Sequence, residues 1–196
     1  LNVGVEQRIS QLAINLERAR WLPVDLGKTF VVVNIPGYSL NAFENGSLAL
    51  DMAVIVGRKQ RNTPMYSGKL EWMEFNPYWG VPDSIARKDI LPKLRDDPSY
   101  LPGLRVYIKG QSYPYVELDR YSIDWSEVDE SDFPYYFRQD PGPANALGQV
   151  KFLFRNPHNV YLHDTPSRNL FTHTRRAFSS GCIRLEEPLK MAHFML

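Results

Sequence analysis

The pair Asn45-Gly46 lies between two segments rich in strand-forming residues, and it constrains the fold more than any other short feature of the chain. Asparagine and glycine accept the positive φ angles that both central positions of a tight hairpin turn require. Residues 38–44 and 47–56 are therefore predicted to be antiparallel strands. A β-branched apolar run at 29–35, bounded by a glycine and a proline, predicts a buried strand before them.

Strand and helix signals recur towards both ends of the chain. The apolar run at 150–154 predicts a further strand, and two acidic residues followed by proline predict a terminal helix from about residue 186. Apolar residues that recur on one face predict a helix within residues 1–24. The expected fold is mostly β, of the α+β class, with a β domain formed by residues 25–75 and 144–196 and with flanking helices.

Residues 76–143 differ in composition from the rest of the chain, because they are rich in prolines with aromatic residues between them. They contain one short helix signal, at 83–94, and an acidic run that is typical of a solvated loop. Segments of this length inside a compact domain are usually functional or disordered, and this one is too aromatic for disorder. We expect an insertion packed onto the β core, acting either as a lid over a site or simply as part of the core.

Composition excludes several classes of protein. The net charge of +1 gives no basic footprint of a nucleic-acid binder. The single cysteine rules out a disulfide framework and a multi-cysteine metal site, and we expect neither metal nor cofactor. No apolar run is long enough to span a bilayer, and no signal peptide opens these residues. The chain is expected to be a fragment of a larger protein.

The only cysteine, Cys182, follows Ser179-Ser180-Gly181. A lone cysteine is most often a small buried apolar residue. Here, however, the glycine permits a tight turn that can aim successive backbone N–H groups at one point, as an oxyanion hole requires. Arg176 and Arg184 flank the turn and could favour the thiolate. Cys182 is therefore a candidate nucleophile.

A cysteine nucleophile needs a base, and the chain has four histidines. His163 ends the apolar segment 160–163, where a strand would hold it rigidly. His158 lies in a predicted turn, His173 in a polar loop, and His193 on the terminal helix. His163 is the preferred base, although a structural histidine is an equally reasonable interpretation from these residues alone.

Two groups of residues together resemble the L,D-transpeptidases. The catalytic motif of that family is similar to His163-Asp-Thr-Pro followed by Arg176-Ala-Phe-Ser-Ser-Gly-Cys-Ile-Arg184. Its opening strands and Thr-Pro loop are similar to Phe30-Val-Val-Val-Asn, the Asn45-Gly46 hairpin, Val54-Ile-Val-Gly57 and Arg61-Asn-Thr-Pro64. The resemblance covers about residues 29–184. It is closest to large periplasmic members of Gram-negative bacteria, in which a substrate-capping subdomain is inserted; residues 76–143 correspond to it.

The resemblance implies a mostly β L,D-transpeptidase-type sandwich and a cysteine acyl-transfer reaction. Cys182 would attack a tetrapeptide stem of peptidoglycan at its third residue, diaminopimelate, and release D-Ala. The amine of a second stem would then resolve the thioester to give a 3→3 cross-link. His163 would move the protons, and the N–H groups of Gly181 and Cys182 would hold the oxyanion. The resemblance also implies a periplasmic location and covalent inhibition by carbapenem-type β-lactams.

Four further residues are candidates for substrate binding. Arg184 could bind a substrate carboxylate or pair with Glu186 or Glu187. Tyr161 would face the same side of a strand as His163 and line the pocket or simply pack there. Trp79 could reach the pocket from the insertion or belong to local core.

Ser180 stands where many family members have histidine, and Asp164 stands where many have glycine. Ser180 or its neighbourhood is expected to supply the carbonyl that orients the imidazole.

There are four alternatives to 3→3 cross-linking. A cysteine L,D-carboxypeptidase or a lipoprotein-attaching transpeptidase would use the same thioester with a different acceptor. A sortase-like enzyme would need its arginine on a separate strand, which the sequence does not offer. A non-catalytic wall-binding module would use the aromatic insertion and leave Cys182 dispensable.

Overall fold

A computed structural model of the protein describes residues 3–21, 23, 25–112 and 114–196. Helix α1 covers Val5–Ala19, as the apolar periodicity predicted. None of its residues is buried, so its apolar face remains largely exposed in the described chain. Residues 1, 2, 22 and 24 of the predicted helical region lie outside the described residues. Among those described, no helix is both long and apolar enough to cross a membrane.

Three antiparallel strands follow: β1 (Thr29–Asn34), β2 (Ser39–Glu44) and β3 (Ser47–Gly57). The turn between β2 and β3 has positive φ at both central residues, +50° at Asn45 and +80° at Gly46. The predicted hairpin is confirmed, because these angles are the ones that asparagine and glycine tolerate best.

The main sheet is completed by strands from the second half of the chain and by one strand from before the insertion. These are β4 (Leu70–Phe75), β9 (Val150–Phe154), β10 (Leu162–His163), β11 (Ala177–Ser179) and β12 (Ile183–Leu185). The order is β1-β2-β3-β12-β10-β9-β4, with β11 beside β3. Strands β10 and β12 are parallel neighbours, and His163 is aligned with Arg184. Sheet topology therefore brings two distant motifs side by side.

The inserted segment forms a second, four-stranded sheet, ordered β5-β8-β6-β7. Its strands are β5 (Trp79–Gly80), β6 (Leu104–Ile108), β7 (Glu117–Leu118) and β8 (Tyr135–Gln139). The predicted helix is present as α2 (Asp83–Ile85), a π-helical turn (Ala86–Ile90) and α3 (Leu91–Asp96).

Two separate hydrophobic clusters hold these sheets together. The first joins β2, β3, β9, β10 and β12 to the terminal helix α4 (Pro188–Met195), with Leu40, Val54, Phe152 and Leu185 fully buried. The second lies wholly within the insertion, around Leu91, Val106, Trp125 and Phe137. The insertion thus has a core of its own instead of only adding to the main one. The mostly β, α+β fold class is confirmed.

Candidate active site

The turn that carries Cys182 is fixed by two hydroxyl groups. Gly181 has a φ of +124°, which favours glycine at this position. Ser179 Oγ accepts the Gly181 N–H at 3.1 Å and donates to the Cys182 carbonyl at 2.6 Å. Thr63 Oγ1 donates to the Gly181 carbonyl at 2.8 Å and accepts the Gly57 N–H at 2.9 Å. The direction of the cysteine is therefore set by hydrogen bonds on both sides of the turn.

The hydrogen bond between Gly181 and Ser179 affects the predicted oxyanion hole. We expected the N–H groups of both Gly181 and Cys182 to hold the oxyanion, but the Gly181 N–H already donates to Ser179 Oγ. It cannot serve an oxyanion without breaking that bond. The Cys182 N–H remains the proposed donor.

His163 is buried at the end of β10, with 5% of its surface exposed. Its Nδ1 lies 2.5 Å from the Asp164 carbonyl oxygen. A carbonyl can only accept, so Nδ1 carries the proton and Nε2 keeps a free lone pair. Our expectation that the Ser180 region supplies this carbonyl is wrong, because the neighbouring residue supplies it.

Burial, together with the nearby charge of Arg184, lowers the pKa of His163 to about 3, while the hydrogen bond with the Asp164 carbonyl acts in the opposite direction. The imidazole is therefore neutral at rest. A neutral ring with Nδ1 protonated is the form in which Nε2 can accept a proton.

Burial also raises the pKa of the Cys182 thiol. Hydrogen bonds from the main chain and hydroxyl of Tyr161 and the charge of Arg184 act in the opposite direction. Arg184 thus favours the thiolate, as expected. Arg176 does not take part, because it donates to the main-chain carbonyls of Val54, His173 and Tyr38. At rest, the site therefore holds a protonated thiol and a neutral imidazole.

Tyr161 contacts both members of this pair. Its ring centroid is 5.6 Å from that of His163, and its hydroxyl is hydrogen bonded with Cys182. Burial, followed by the proximity of Cys182, raises the pKa of that hydroxyl, while hydrogen bonding with Trp79 lowers it. The structure therefore brings Cys182, His163, Tyr161 and Trp79 together, the last of them from strand β5 of the insertion.

Arg184 does not pair with either acidic residue that the sequence offered. Glu186 accepts the Ala53 N–H at 3.1 Å, and Glu187 forms an ion pair with Lys190. Within the described chain Arg184 has no ion pair, and its buried Nε has no hydrogen-bond partner. The expectation that Arg184 pairs with Glu186 or Glu187 is therefore wrong. No ion pair within the described residues neutralises the charge of Arg184.

Ser180 is bound from outside the turn. Its hydroxyl accepts a hydrogen bond from Arg61 Nη1 at 3.1 Å. Arg61 and Arg58 both pair with Asp89 in the π-helical turn of the insertion, Arg58 at 3.1 Å. The insertion therefore reaches the cysteine turn through a chain of charged contacts. No group of three metal-ligating side chains lies together anywhere in the described ranges.

Comparison with known proteins decides the family. Residues 28–196 match the family model of YkuD, the L,D-transpeptidase catalytic domain. The chain belongs to the L,D-transpeptidase catalytic-domain family. A Haemophilus influenzae protein provisionally named an L,D-transpeptidase is 40% identical over 192 residues, which are 97% of this chain. The chain spans 38% of that relative's length.

Solved L,D-transpeptidases are more distant from this one. The ertapenem-acylated catalytic domain from Enterococcus faecium is 12% identical with a TM-score of 0.47, and the match covers 88% of this chain and 92% of that domain. The L,D-transpeptidase from Mycobacterium smegmatis is also 12% identical, with a TM-score of 0.45 and coverage of 86% of this chain and 54% of its own.

Several residues that shape this L,D-transpeptidase site were not singled out from the sequence. Thr63 was noted only as part of a Thr-Pro loop, and Asp89 and the Asp164 carbonyl were not considered for these contacts. Thr63 and Asp89 contact residues that are distant from them in the sequence, so no local sequence pattern indicates these contacts. The one usable signal was Asp164 itself, an acidic residue directly after the proposed base.

Proposed function

We propose that this domain forms 3→3 cross-links in peptidoglycan by cysteine acyl transfer, in the periplasm. The observation that carries the proposal is the contact of Tyr161 with both Cys182 and His163, in a site where the imidazole is neutral and its Nδ1 is already held. Membership of the family supports the reaction class.

In the first half-reaction, the Cys182 sulfur attacks the carbonyl carbon of the diaminopimelate residue at position 3. The thiol proton moves to His163 Nε2 as the C–S bond forms. The imidazolium then returns this proton to the amine of the terminal D-Ala, and the C–N bond breaks. A thioester and free D-Ala are the products.

The second half-reaction reverses these roles. The side-chain amine of a second stem gives a proton to His163 and attacks the thioester carbonyl. The new C–N bond forms, the C–S bond breaks, and the sulfur regains its proton. General base catalysis of this kind is typically worth about 10²–10⁴-fold in rate.

The resting protonation states suit this sequence. A thiolate–imidazolium pair would place two charges in a buried site, which burial disfavours for both groups. Charge therefore develops only as the sulfur attacks. The Cys182 N–H and the nearby cation of Arg184 would stabilise the oxyanion at that moment.

Arg184 is the proposed anchor for a carboxylate of the stem peptide. A partly buried guanidinium whose buried Nε has no partner is unfavourable, and a carboxylate matches its planar set of donors. Binding the stem would thus both orient the donor and neutralise the site.

The insertion, residues 76–143, is the proposed cap over the donor stem. Two contacts support this role: Trp79 against the Tyr161 hydroxyl, and Asp89 through Arg61 to Ser180. A cap held at both points would exclude water from the thioester and so favour the amine over hydrolysis.

The test is product analysis with purified disaccharide-tetrapeptide. Wild-type protein should release D-Ala and give a 3→3 linked dimer, detected by mass spectrometry, while Cys182→Ala should give neither. A tripeptide product without dimer would indicate a carboxypeptidase. D-Ala release by folded Cys182→Ala would contradict the mechanism.

A further inference from the structure

The carbonyl that holds His163 belongs to a residue whose own side chain is held at two points. Asp164 is buried, with 8% of its surface exposed. Its Oδ2 accepts the Gln149 N–H at 2.8 Å, and its Oδ1 accepts a hydrogen bond from Arg168 Nη1 at 3.3 Å. Its main-chain N–H donates to the Val150 carbonyl at 2.9 Å.

The carboxylate of Asp164 packs closely against Gly148 and is bound by Arg168. Gly148 has a φ of +62°, and a Cβ atom at that position would lie 2.2 Å from Asp164 Oδ2. Arg168 donates to the Leu185 carbonyl at 3.2 Å and also to the Glu186 carbonyl. The guanidinium thereby joins the carboxylate to the end of β12, the strand that follows Cys182.

We propose that Asp164 is a positioning residue for His163. Its carboxylate fixes the peptide unit whose carbonyl accepts the Nδ1–H, and this selects the tautomer in which Nε2 is free to take the thiol proton. The inference rests on the proposed role of His163 as the base. It concerns the position at which many related proteins are expected to have glycine, where a side-chain contribution of this kind is not available.

The same network continues to the insertion. The Asn76 N–H, at the first residue of the insertion, donates to the Gln149 carbonyl at 2.7 Å. Gln149 thus binds the insertion through its carbonyl and Asp164 through its N–H. The hydrogen bonds that orient His163 are therefore connected, through Gln149, to the residue at which the insertion begins.

A merely structural role for Asp164 would lower stability without changing the imidazole. The readout is therefore the tautomer of His163, observed by long-range ¹H–¹⁵N NMR of the full chain at neutral pH. Wild type should show the Nδ1–H form. Asp164→Ala should show a mixture that includes the Nε2–H form, with acylation by a carbapenem slowed roughly 10–100-fold, the loss typical of a misaligned catalytic group.

Asp164→Asn keeps an acceptor for the Gln149 N–H and should lie between wild type and Asp164→Ala. Glu74→Gln is the matched control. It removes a carboxylate that forms an ion pair with Lys151 at 2.8 Å. Lys151 lies in β9 opposite His163 in β10, so the change is made close to the imidazole without altering the Asp164 network. This control should keep both the tautomer and the rate.

A folded Asp164→Ala protein that retains the pure Nδ1–H form would overturn the proposal. If that variant does not fold, Arg168→Gln is tested instead, which frees Oδ1 of Asp164 and the Leu185 and Glu186 carbonyls but leaves Oδ2 bound to the Gln149 N–H. It must shift the tautomer, and an unchanged tautomer there overturns the proposal equally. Failure of the proposed function looks different: His163→Ala would be acylated at the wild-type rate, whatever the tautomer in the Asp164 variants.

Discussion

The main chain and the hydroxyl of Tyr161 both hydrogen bond with the sulfur of Cys182. Cys182 directly precedes β12 and Tyr161 directly precedes β10, so the parallel pairing of these strands places the two residues beside each other. Tyr161 therefore bears directly on the acidity of the thiol.

Tyr161→Phe should raise the pKa of the Cys182 thiol still further, because a hydrogen bond that stabilises the thiolate is lost. The measurement is the pH dependence of alkylation by iodoacetamide, whose midpoint should move to higher pH. Tyr66→Phe is the control, since that hydroxyl donates to the Arg155 carbonyl, and it should leave the midpoint in place. A midpoint that stays or falls in Tyr161→Phe would contradict the contact.

Arg184→Gln should weaken the capture of the donor stem. A hydrogen bond to a charged group is worth about 1.5–3 kcal/mol, so we expect a loss of roughly 10–100-fold in the second-order rate of acylation. Arg155→Gln is the matched control, because its side chain is 85% exposed and paired with Glu71. Equal rates of acylation for wild type and Arg184→Gln would show that Arg184 does not bind the donor stem.

Loss of the Arg184 charge should also raise the pKa of both Cys182 and His163, since that charge lowers each of them.

Asp89→Asn should loosen the contact between the cap and the cysteine turn. Partly exposed ion pairs contribute about 0.2–1 kcal/mol, so the ratio of transfer to hydrolysis should fall by less than about tenfold. Alkylation of Cys182 by a small reagent should not slow. Asp83→Asn serves as control, because Asp83 pairs with Arg87 and Lys109 inside the insertion. If both variants give the same ratio, the contact does not hold the cap.

His163 should make the protein less stable in acid. The pKa of His163 is about 3 in the folded protein and about 6.5 in the unfolded chain, so the unfolded chain binds more protons between these values. The free energy of unfolding should therefore rise with pH from about 3 to about 6.5. His163→Gln should flatten this dependence, whereas His173→Gln, at an exposed position, should not. Urea titrations at several pH values measure it.

Local features of the sequence were sufficient to predict β1, β2, β3, β9 and β10, the hairpin and the terminal helix, but not the strands of the insertion or β4, β11 and β12. Asn45-Gly46 fixes a turn through its own backbone preferences, and the apolar run at 150–154 can form only buried structure. Pairing of β10 with β12 was not visible in this way, because parallel neighbours are separated by a long stretch of chain.

The candidate site was predictable in its residue types but not in its hydrogen bonds. Cys182 could be proposed from its neighbours, whereas the choice of His163 over a structural histidine depended on the resemblance to the family, whose spacing it fits. The use of the Gly181 N–H by Ser179, and of the Asp164 carbonyl by His163, depends on backbone angles that composition does not determine. Likewise, Arg184 has acidic residues close in sequence, and only the folded chain shows that they bind elsewhere.

The central claim is that Cys182 is acylated by the stem peptide with His163 as the base. The most direct measurement is intact-protein mass spectrometry after rapid acid quenching of wild type, Cys182→Ala and His163→Ala mixed with disaccharide-tetrapeptide. Wild type should gain the mass of the donor less D-Ala, Cys182→Ala should gain nothing, and His163→Ala should gain it roughly 10²–10⁴-fold more slowly. An adduct on folded Cys182→Ala, or full-speed acylation of His163→Ala, would contradict the account.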